Sequence, residues 1–209
     1  NLNERHQQLT SHLLSLGKWR DPMQLPKIYD ERLLALPWHD VRTWPQLKPL
    51  ITLLESYHIL LTREYTQLAR THRLLVDQDC IQEGNNGTWS RFEITGIWNE
   101  LDEHGCSVHT PHACDMLRRA KEISPVAIVR LGFSAVAANT WIKPHFGMTN
   151  SVLKLHLGLI VPTTTNGCTW MRVANETRTW QEGRVMMFDD SFEHEVRNDC
   201  GSDRVVFQV

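Results

Sequence analysis

The chain has 209 residues, of which 41% are hydrophobic and 22% charged, and its formal net charge is -2 at pH 7. This composition predicts a single domain with a buried core and leaves room for a small helical annex. The near-neutral charge argues against a nucleic-acid partner, and no run of about 18 apolar residues is present that could span a bilayer. We therefore expect no nucleic-acid binding and no membrane contact from this segment.

The first part of the chain, residues 1–75, has the apolar spacing of amphipathic helices. Between Leu50 and Leu61 the leucine, isoleucine and tyrosine side chains recur every three or four positions. Pro45 stands where a helix would begin, because its ring fixes φ near the helical value. The pattern predicts helical support over residues 1–75.

Residues 76–125 are polar and show no clear periodicity, which predicts a long connection. Connections of this length are often functional surfaces. This one contains Trp89, Arg91 and Trp98, and we predict that these side chains face the substrate.

The same connection contains two cysteines and a glycosylation motif. Cys106 and Cys114 are eight positions apart in GCSVHTPHAC, a spacing that suits a disulfide better than a zinc site but leaves unpaired thiols equally open. Asn86 begins the acceptor Asn-Gly-Thr. Together these features favour a secretory compartment. The remaining cysteines leave an odd thiol under any pairing: Cys80, Cys168 and Cys200.

From residue 126 to residue 209 the apolar period becomes two, which predicts an antiparallel sheet. The runs VAIVRLGFSAVA, SVLKLHLGLIV, RVMMFDD and RVVFQV are separated by turn residues. The chain ends in the last of these runs and begins at Asn1 without a methionine. We expect it to be an excerpt of a longer protein, with any membrane anchor outside it.

Alternation along two of these strands places charged and apolar side chains on opposite faces. Lys154 and His156 share one face of their strand, whose other face is all leucine, and Arg204 shares a face with Val206. A solvated outer face would explain the first strand. The mixed face of the second strand is too apolar for open solvent, so we predict that these three cations line a polar cavity inside a small barrel or double-sheet roll. Two or more cations around a cavity predict an anionic ligand.

Two histidines stand in sequences typical of an iron site. His145 lies in PHFGMTN and His194 in FDDSFEHEV, and non-haem Fe(II) oxygenases bind metal through two histidines and a carboxylate. The usual carboxylate position, two residues after the first histidine, is Gly147 here. Spacing alone therefore leaves two hypotheses: an iron site with one protein ligand fewer, or ordinary surface and core histidines.

The segments HFGMTNSVLKLHLGLIVP and VANETRTWQEGRVMMFDDSFEHEV, followed by Arg204, resemble the catalytic domain of the aspartyl/asparaginyl β-hydroxylase family. The similarity is close over residues 126–209 and extends more loosely upstream through LLALPWHD, GTWSRFEI and the Cys106/Cys114 pair. Members of that family are Fe(II)- and 2-oxoglutarate-dependent oxygenases that carry glycine in place of the carboxylate ligand. The resemblance implies a mainly β fold with N-terminal helices, namely a double-stranded β-helix (jelly roll) supported by helices.

The resemblance also implies a role for each matching residue. His145 and His194 correspond to the Fe(II) ligands. The 2-oxoglutarate contacts correspond to Ser134, Lys154, His156 and Arg204, with lysine at position 154 where the family commonly has arginine. Asp190, four residues before His194, is predicted to orient an iron-bound water and to offset the missing ligand charge. The alternative is that Asp189 and Asp190 only shape a turn.

For the substrate, the resemblance implies Asp or Asn residues of proteins such as EGF-like domains. Family members of that kind tend to have an arginine where this chain has Val152, so a cation for an acidic substrate is absent. Hydroxylation of a lipid or small molecule is the alternative, as is a catalytically weak pseudoenzyme that binds a partner. Aspartate β-hydroxylase domain-containing proteins are further candidate relatives. The family resemblance, the cysteines and Asn86 together predict the lumen of the endoplasmic reticulum, as part of a membrane-anchored glycoprotein.

Overall fold

A computed structural model describes residues 21–71, 74–82, 87–95, 108–162 and 167–209, together with residues 8, 11, 12 and 15. Three α-helices and eleven β-strands have described bounds. The helices are α1 (Lys48–Ser56), α2 (His58–Thr71) and α3 (Pro111–Ile123). The strands are β1 (Trp38–His39), β2 (Leu75–Val76), β3 (Trp89–Thr95), β4 (Leu131–Val136), β5 (Thr140–His145), β6 (Lys154–Ile160), β7 (Thr169–Val173), β8 (Glu176–Arg178), β9 (Val185–Phe188), β10 (His194–Asn198) and β11 (Arg204–Gln208).

Helices α1 and α2 confirm part of the helical prediction for residues 1–75. A short 3-10 turn, Pro45–Leu47, leads into α1, and the buried side chains of both helices recur at helical spacing. Residues 21–37, by contrast, form no helix, so the prediction was wrong there. Three prolines in this stretch lack the backbone N–H groups that a helix would need, and the segment instead forms isolated bridges, Gln24 with Phe192 and Ile28 with Thr149.

Helix α3 begins without a side-chain cap of its own and takes one from α2. Glu64 of α2 accepts hydrogen bonds from the backbone N–H groups of His112, at 2.6 Å, and Ala113, at 3.0 Å. These are two of the four donors that the first turn of a helix leaves without intrahelical partners. Burial nevertheless raises the pKa of the Glu64 carboxyl. The carboxylate therefore joins the two helices through the end of α3.

Residues 76–125 are only partly a connection, which corrects the prediction for this segment. Seven of them form β3, and thirteen others form α3, whose first turn includes Cys114. The strand escaped notice because its faces are mixed: Trp89 and Arg91 alternate with Phe92 and Ile94, and no face is uniformly apolar. Trp89 and Arg91 are therefore strand residues rather than loop residues.

Eleven strands build two sheets in which all neighbouring strands are antiparallel. The major sheet has the order β1-β9-β6-β11-β4-β3-β2, and the minor sheet has the order β5-β10-β7-β8. Strands β1 to β4 all belong to the major sheet, and from β4 onward the chain alternates between the sheets, except that β7 and β8 are neighbours in the minor sheet. The predicted double-stranded β-helix with helical support is confirmed.

Two apolar clusters lie on the two faces of the major sheet. The first fills the space between the helices and the sheet, and its buried members include Leu54, Leu61, Met116, Phe133, Leu157 and Phe207. The second fills the space between the sheets, and its buried members include Val136, Ile142, Met171, Val173, Phe188 and Val206. The predicted enclosure of both faces of β6 and β11 is therefore correct.

The structure shows the bonding state of four of the five cysteines. Cys168, next to β7, is bonded to Cys200, which follows β10, and Cys80 is a free thiol. Cys114 is also disulfide-bonded and fully buried. Cys106 lies outside the described residues, so its pairing with Cys114 stays a prediction. No helix in the described ranges is long and apolar enough to cross a membrane.

Candidate active site

A cavity of about 130 Å³ lies between the two sheets and collects most of the predicted site residues. The minor sheet contributes His145 and His194. The major sheet contributes Ser134, Lys154, His156 and Arg204, and the turn after β9 contributes Asp190. The cavity that strand alternation predicts around Lys154, His156 and Arg204 is therefore the same cavity that contains His145 and His194.

The two histidines face each other directly across neighbouring strands. His145 ends β5, His194 begins β10, and the two residues are paired in register, with ring centroids 4.1 Å apart. Each Nδ1 lies against the backbone carbonyl two residues earlier: His145 Nδ1 is 2.8 Å from Lys143 O, and His194 Nδ1 is 2.9 Å from Phe192 O. A carbonyl accepts only, so both rings carry their proton on Nδ1 and present the Nε2 lone pair.

This tautomer suits metal binding, because a second hydrogen bond that fixes the imidazole is the usual support of a histidine ligand. Burial, with a smaller contribution from the charge of His145, lowers the pKa of His194 to about 3. The ring is therefore neutral at physiological pH. Among the described residues, no group of three or more His, Cys, Asp or Glu side chains is placed to hold a metal ion. The pair thus fits a metal with two protein nitrogen ligands and other positions left to water or ligand oxygen.

Gly147, the residue in the usual carboxylate position, lies against a carboxylate from another part of the chain. Its N–H donates to the backbone carbonyl of Asp190 at 2.6 Å. A Cβ at position 147 would fall 2.5 Å from Cγ and 2.8 Å from Oδ2 of Asp190, closer than real Cβ contacts allow. The Asp190 carboxyl therefore fills the space that a side chain at position 147 would need.

Asp190 is in turn held by a cation. Lys154 Nζ lies 3.6 Å from Asp190 Oδ2, and both side chains are largely buried. Burial raises the pKa of the Asp190 carboxyl, and the charge of Lys154 opposes that rise. The Asp190 carboxyl group thus lines the same cavity as the two histidines, although it comes from a different part of the chain than the position two residues after His145.

This contact makes a prediction for position 147. Gly147→Ala should lower turnover at least about tenfold, because the new Cβ forces the Asp190 carboxyl away from Lys154, and loss of a group that supports metal ligands typically costs 10- to 100-fold. Gly147→Asp should be no better than Gly147→Ala. Turnover and Fe(II) affinity of the purified variants measure both effects.

The control is the double variant Gly147→Asp with Asp190→Gly, which moves one carboxylate into the space left by the other. It should bind Fe(II) more tightly than Gly147→Asp alone. Equal Fe(II) affinity of the single and double variants, or wild-type turnover of Gly147→Ala, would show that the contact does not matter.

Arg204 is a fully buried cation. Its Nε and Nη1 atoms have no hydrogen-bond partner within the described part of the chain, and its guanidinium stacks over the Trp180 ring at 4.3 Å. Burial lowers its pKa to about 9, so the side chain is still charged at neutral pH. Ser134 Oγ accepts a hydrogen bond from Trp89 Nε1 at 3.0 Å, which leaves the hydroxyl proton available to a ligand. A buried guanidinium of this kind fits a carboxylate, which satisfies its donors and its charge together.

His156 is held on both ring nitrogens. Trp180 Nε1 donates to Nδ1 at 3.4 Å, and the amide nitrogen of Gln208 lies 3.0 Å from Nε2 of the ring. Burial, followed by the charges of Arg204, Lys154 and His194, places the pKa of His156 well below the usual value. His156 is therefore a neutral ring rather than a third cation.

Next to Asp190, Asp189 is the buried acid that links the site to the N-terminal segment. Its Oδ1 accepts from the backbone N–H of Ser191 at 2.9 Å, and its Oδ2 accepts from Gln24 Nε2 at 3.2 Å. Burial raises its pKa to about 6. The folded state thus binds this proton more tightly than the unfolded state does, which stabilises the fold below pH 4 and is lost as pH rises through 6.

Asp189→Asn should remove this pH dependence. The unfolding free energy of the variant minus that of the wild type should increase by roughly 1–3 kcal/mol when the pH is raised from 4 to 7.5, given about 1.4 kcal/mol per unit of pKa shift. Urea unfolding at several pH values measures the gain. Asp199→Asn, at an exposed acid paired with Arg197, is the control. A difference between wild type and Asp189→Asn that is constant with pH would contradict the prediction.

The structure describes two of the three residues that are predicted to face the substrate. Trp89 and Arg91 line the cavity from β3. Arg91 is paired with Asp77 at 2.8 Å and stacks on the Trp89 ring at 4.7 Å. Trp98 and Asn86 lie outside the described residues, so their predicted roles in substrate contact and glycosylation stay predictions.

Sequence reasoning missed several side chains that line or support the cavity, among them Gln208, Arg130, Phe188 and Trp180. Gln208 shares a face of β11 with Arg204, so its place could have been found from the two-residue period. Arg130 precedes β4 and carried no signal of its own. Phe188 packs edge-on against His156, and Trp180 contacts both His156 and Arg204, from positions that no periodicity marks.

A family model described as aspartyl/asparaginyl beta-hydroxylase matches residues 56–209. The chain belongs to this family. Its cavity combines two histidines with a buried guanidinium and a hydroxyl, the kinds of residue that a metal and a carboxylate ligand need.

Individual relatives of the family differ in how much of the chain they cover. The aspartyl/asparaginyl beta-hydroxylase of Mus musculus is 41% identical over 125 residues, or 59% of this chain, and the chain spans only 16% of its length. The ornithine lipid ester-linked acyl 2-hydroxylase of Rhizobium tropici is 43% identical over 210 residues, covering 99% of this chain and 70% of the relative. Among solved structures, a prolyl-4-hydroxylase of Pseudomonas putida superposes with a TM-score of 0.48 and 12% identity, over 78% of this chain and 97% of the other.

Proposed function

We propose that His145 and His194 hold Fe(II) in this cavity and that Arg204, Ser134, Lys154 and His156 hold 2-oxoglutarate beside it. One observation carries the proposal: two imidazoles with matching fixed tautomers share a cavity with a buried guanidinium that has unused donors. Iron and 2-oxoglutarate, when bound, supply the oxidation of an unactivated C–H bond by O2, with succinate and CO2 as the other products.

The protein residues have distinct tasks in this proposal. Arg204 satisfies one carboxylate of 2-oxoglutarate through its planar donors, and Ser134 donates its hydroxyl proton to the same group. Lys154 contributes positive charge near the other carboxylate, and His156 contributes a neutral ring to the same cavity. Asp190 would place a carboxyl group beside the two histidines, where Gly147 has no side chain, and would orient water next to a bound metal. Apolar side chains close the rest of the cavity to bulk water: Ile142, Met171, Phe188 and Val196.

Two substrate classes fit the same chemistry. The β-carbon of an Asp or Asn residue is a methylene group next to the side-chain carbonyl, and C2 of an ester-linked acyl chain is a methylene group next to the ester carbonyl. We propose hydroxylation of a methylene group next to a carbonyl. Peptidyl Asp or Asn, in proteins such as EGF-like domains, is supported by the family match and by the mouse relative. An acyl chain is supported by the Rhizobium relative, which aligns with nearly the whole chain.

Succinate formation tests the proposal. The purified chain would be given Fe(II) and 2-oxoglutarate, first alone and then with EGF-like peptides or with ester-linked acyl lipids, and products would be examined for a mass increase of one oxygen. We expect succinate above background and oxygen addition in one substrate class. No 2-oxoglutarate binding and no succinate under any condition would contradict the proposal and favour a pseudoenzyme that serves as a binding module.

We also propose that the protein works in the lumen of the endoplasmic reticulum. The Cys168–Cys200 disulfide supports an oxidising compartment. Mass measurement of the protein isolated from cells, with and without reduction and deglycosylation, tests this proposal. Reduced cysteines throughout and an unmodified Asn86 would contradict it.

A further inference from the structure

A second cavity, of about 400 Å³, lies next to the catalytic cavity and is lined mainly by apolar side chains. It is bounded by the start of α1 and the turn before it, by the segment that leads into β4, and by the segment that leads into β6. Its apolar lining is Trp44, Leu47, Leu50, Val126, Ile128, Val129, Val152, Leu153, Leu155, Met187 and Val209. Neither the family match nor the names of the relatives assign a role to it.

The two cavities are neighbours that share three lining residues. Arg130, Lys154 and Val209 line both of them. A molecule that extends from the catalytic cavity into the second one therefore passes two cations at the junction and then contacts apolar side chains. This order of environments suits an amphiphile whose polar group is close to the reacting carbon.

Arg130 is the junction residue best placed to meet such a polar group. Its nearest carboxylate, Glu93, is 3.9 Å from Nε, and Nε has no hydrogen-bond partner within the described ranges. Lys154, by contrast, is already paired with Asp190. Arg130 can thus donate to a carbonyl oxygen without breaking a close ion pair.

We propose that the second cavity binds the hydrocarbon chain of an acyl-ester substrate whose ester carbonyl lies beside Arg130. The inference rests on the proposed hydroxylation next to a carbonyl and selects the acyl class. An Asp or Asn side chain ends one carbon from the hydroxylated position and has no chain to fill an apolar cavity of this size. The cavity has room on the order of ten methylene groups, taking about 30 Å³ for each, the share of a water molecule in the liquid.

A binding measurement without iron or 2-oxoglutarate tests the cavity separately from catalysis. Dansylaminoundecanoic acid would be bound to the purified chain and displaced by methyl esters of straight-chain acids with 4 to 16 carbons, below their micelle concentrations. Affinity should rise about three- to fourfold for each added methylene group that enters the cavity, and should level off once it is filled. Affinity that does not change with chain length would overturn the proposal.

Substitutions of residues that border the second cavity test whether the hydrocarbon chain of the ester binds there. Val129→Asp should weaken binding of the 12-carbon ester at least tenfold, because Val129 is 38% exposed and borders the cavity. Ile123→Asp is the matched control, since Ile123 is 43% exposed at the end of α3 and lines neither cavity. Val126→Trp, which fills volume without adding charge, should weaken the 12-carbon ester and spare the 4-carbon ester. Equal losses in Val129→Asp and Ile123→Asp would overturn the proposal.

Succinate formation distinguishes failure of the cavity assignment from failure of the hydroxylase proposal on which it rests. If the esters bind with the expected chain-length dependence and no condition yields succinate, the hydroxylase proposal fails and the cavity assignment stands. If EGF-like peptides drive succinate formation and no ester displaces the probe, the cavity assignment fails and the hydroxylase proposal stands.

Discussion

The His194→Ala variant is expected to lose at least about 100-fold in turnover and to lose most of its affinity for Fe(II). Loss of a group that merely supports a metal ligand costs 10- to 100-fold, so loss of one of only two protein ligands should cost more. Succinate formation and equilibrium dialysis of Fe(II) measure the two effects.

His194 is 7% exposed, so its removal also tests the fold. His194→Gln, which keeps most of the volume, should fold and show the same loss of activity. His112→Ala, at an exposed histidine on α3, is the control and should behave as the wild type. Near wild-type turnover in a folded His194→Ala variant would refute the assignment of this residue to the metal.

Replacement of Arg204 by Met should have opposite effects on cosubstrate binding and on stability. The affinity for 2-oxoglutarate should fall by roughly 2–5 kcal/mol, because a buried carboxylate would lose its cationic partner. The unfolding free energy of the protein measured without 2-oxoglutarate should be unchanged or higher, because a buried cation whose Nε and Nη1 have no hydrogen-bond partner among the described residues opposes folding.

Calorimetric titration with 2-oxoglutarate and thermal unfolding test these two effects in one variant. Arg197→Met is the control, since Arg197 is 41% exposed and paired with Asp199 outside the cavity. Unchanged 2-oxoglutarate affinity in Arg204→Met would mean that the cosubstrate is elsewhere. A clear loss of stability without 2-oxoglutarate would mean that the guanidinium supports the fold itself.

The part of the site that follows strand alternation could be predicted from the sequence. Lys154, His156 and Arg204 were placed in one cavity because a two-residue period fixes which side chains share a face, and the structure confirms that placement. The choice between an iron site and ordinary histidines could not be made in that way. Register between β5 and β10 depends on strand pairing across 49 positions, which no local pattern encodes.

Other features were hidden because their causes are tertiary. Strand β3 has mixed faces, since Trp89 and Arg91 reach the cavity while Phe92 and Ile94 pack towards the helices. The contact between Gly147 and Asp190 joins two turns, so a missing side chain and a distant carboxylate give no joint signal. Residues 21–37 form turns and isolated bridges because of their prolines and their contacts with other parts of the chain, although their apolar content is compatible with a helix.

The two sheets carry different halves of the proposed chemistry. His145 and His194 belong to the minor sheet, whereas Ser134, His156 and Arg204 belong to the major sheet. The distance between bound iron and bound 2-oxoglutarate would therefore depend on the distance between the two sheets, which the side chains between them set. A ligand bound to one sheet and in contact with the other acts as a clamp between them. Each ligand should then tighten binding of the other by the same factor, because coupling between two sites is reciprocal.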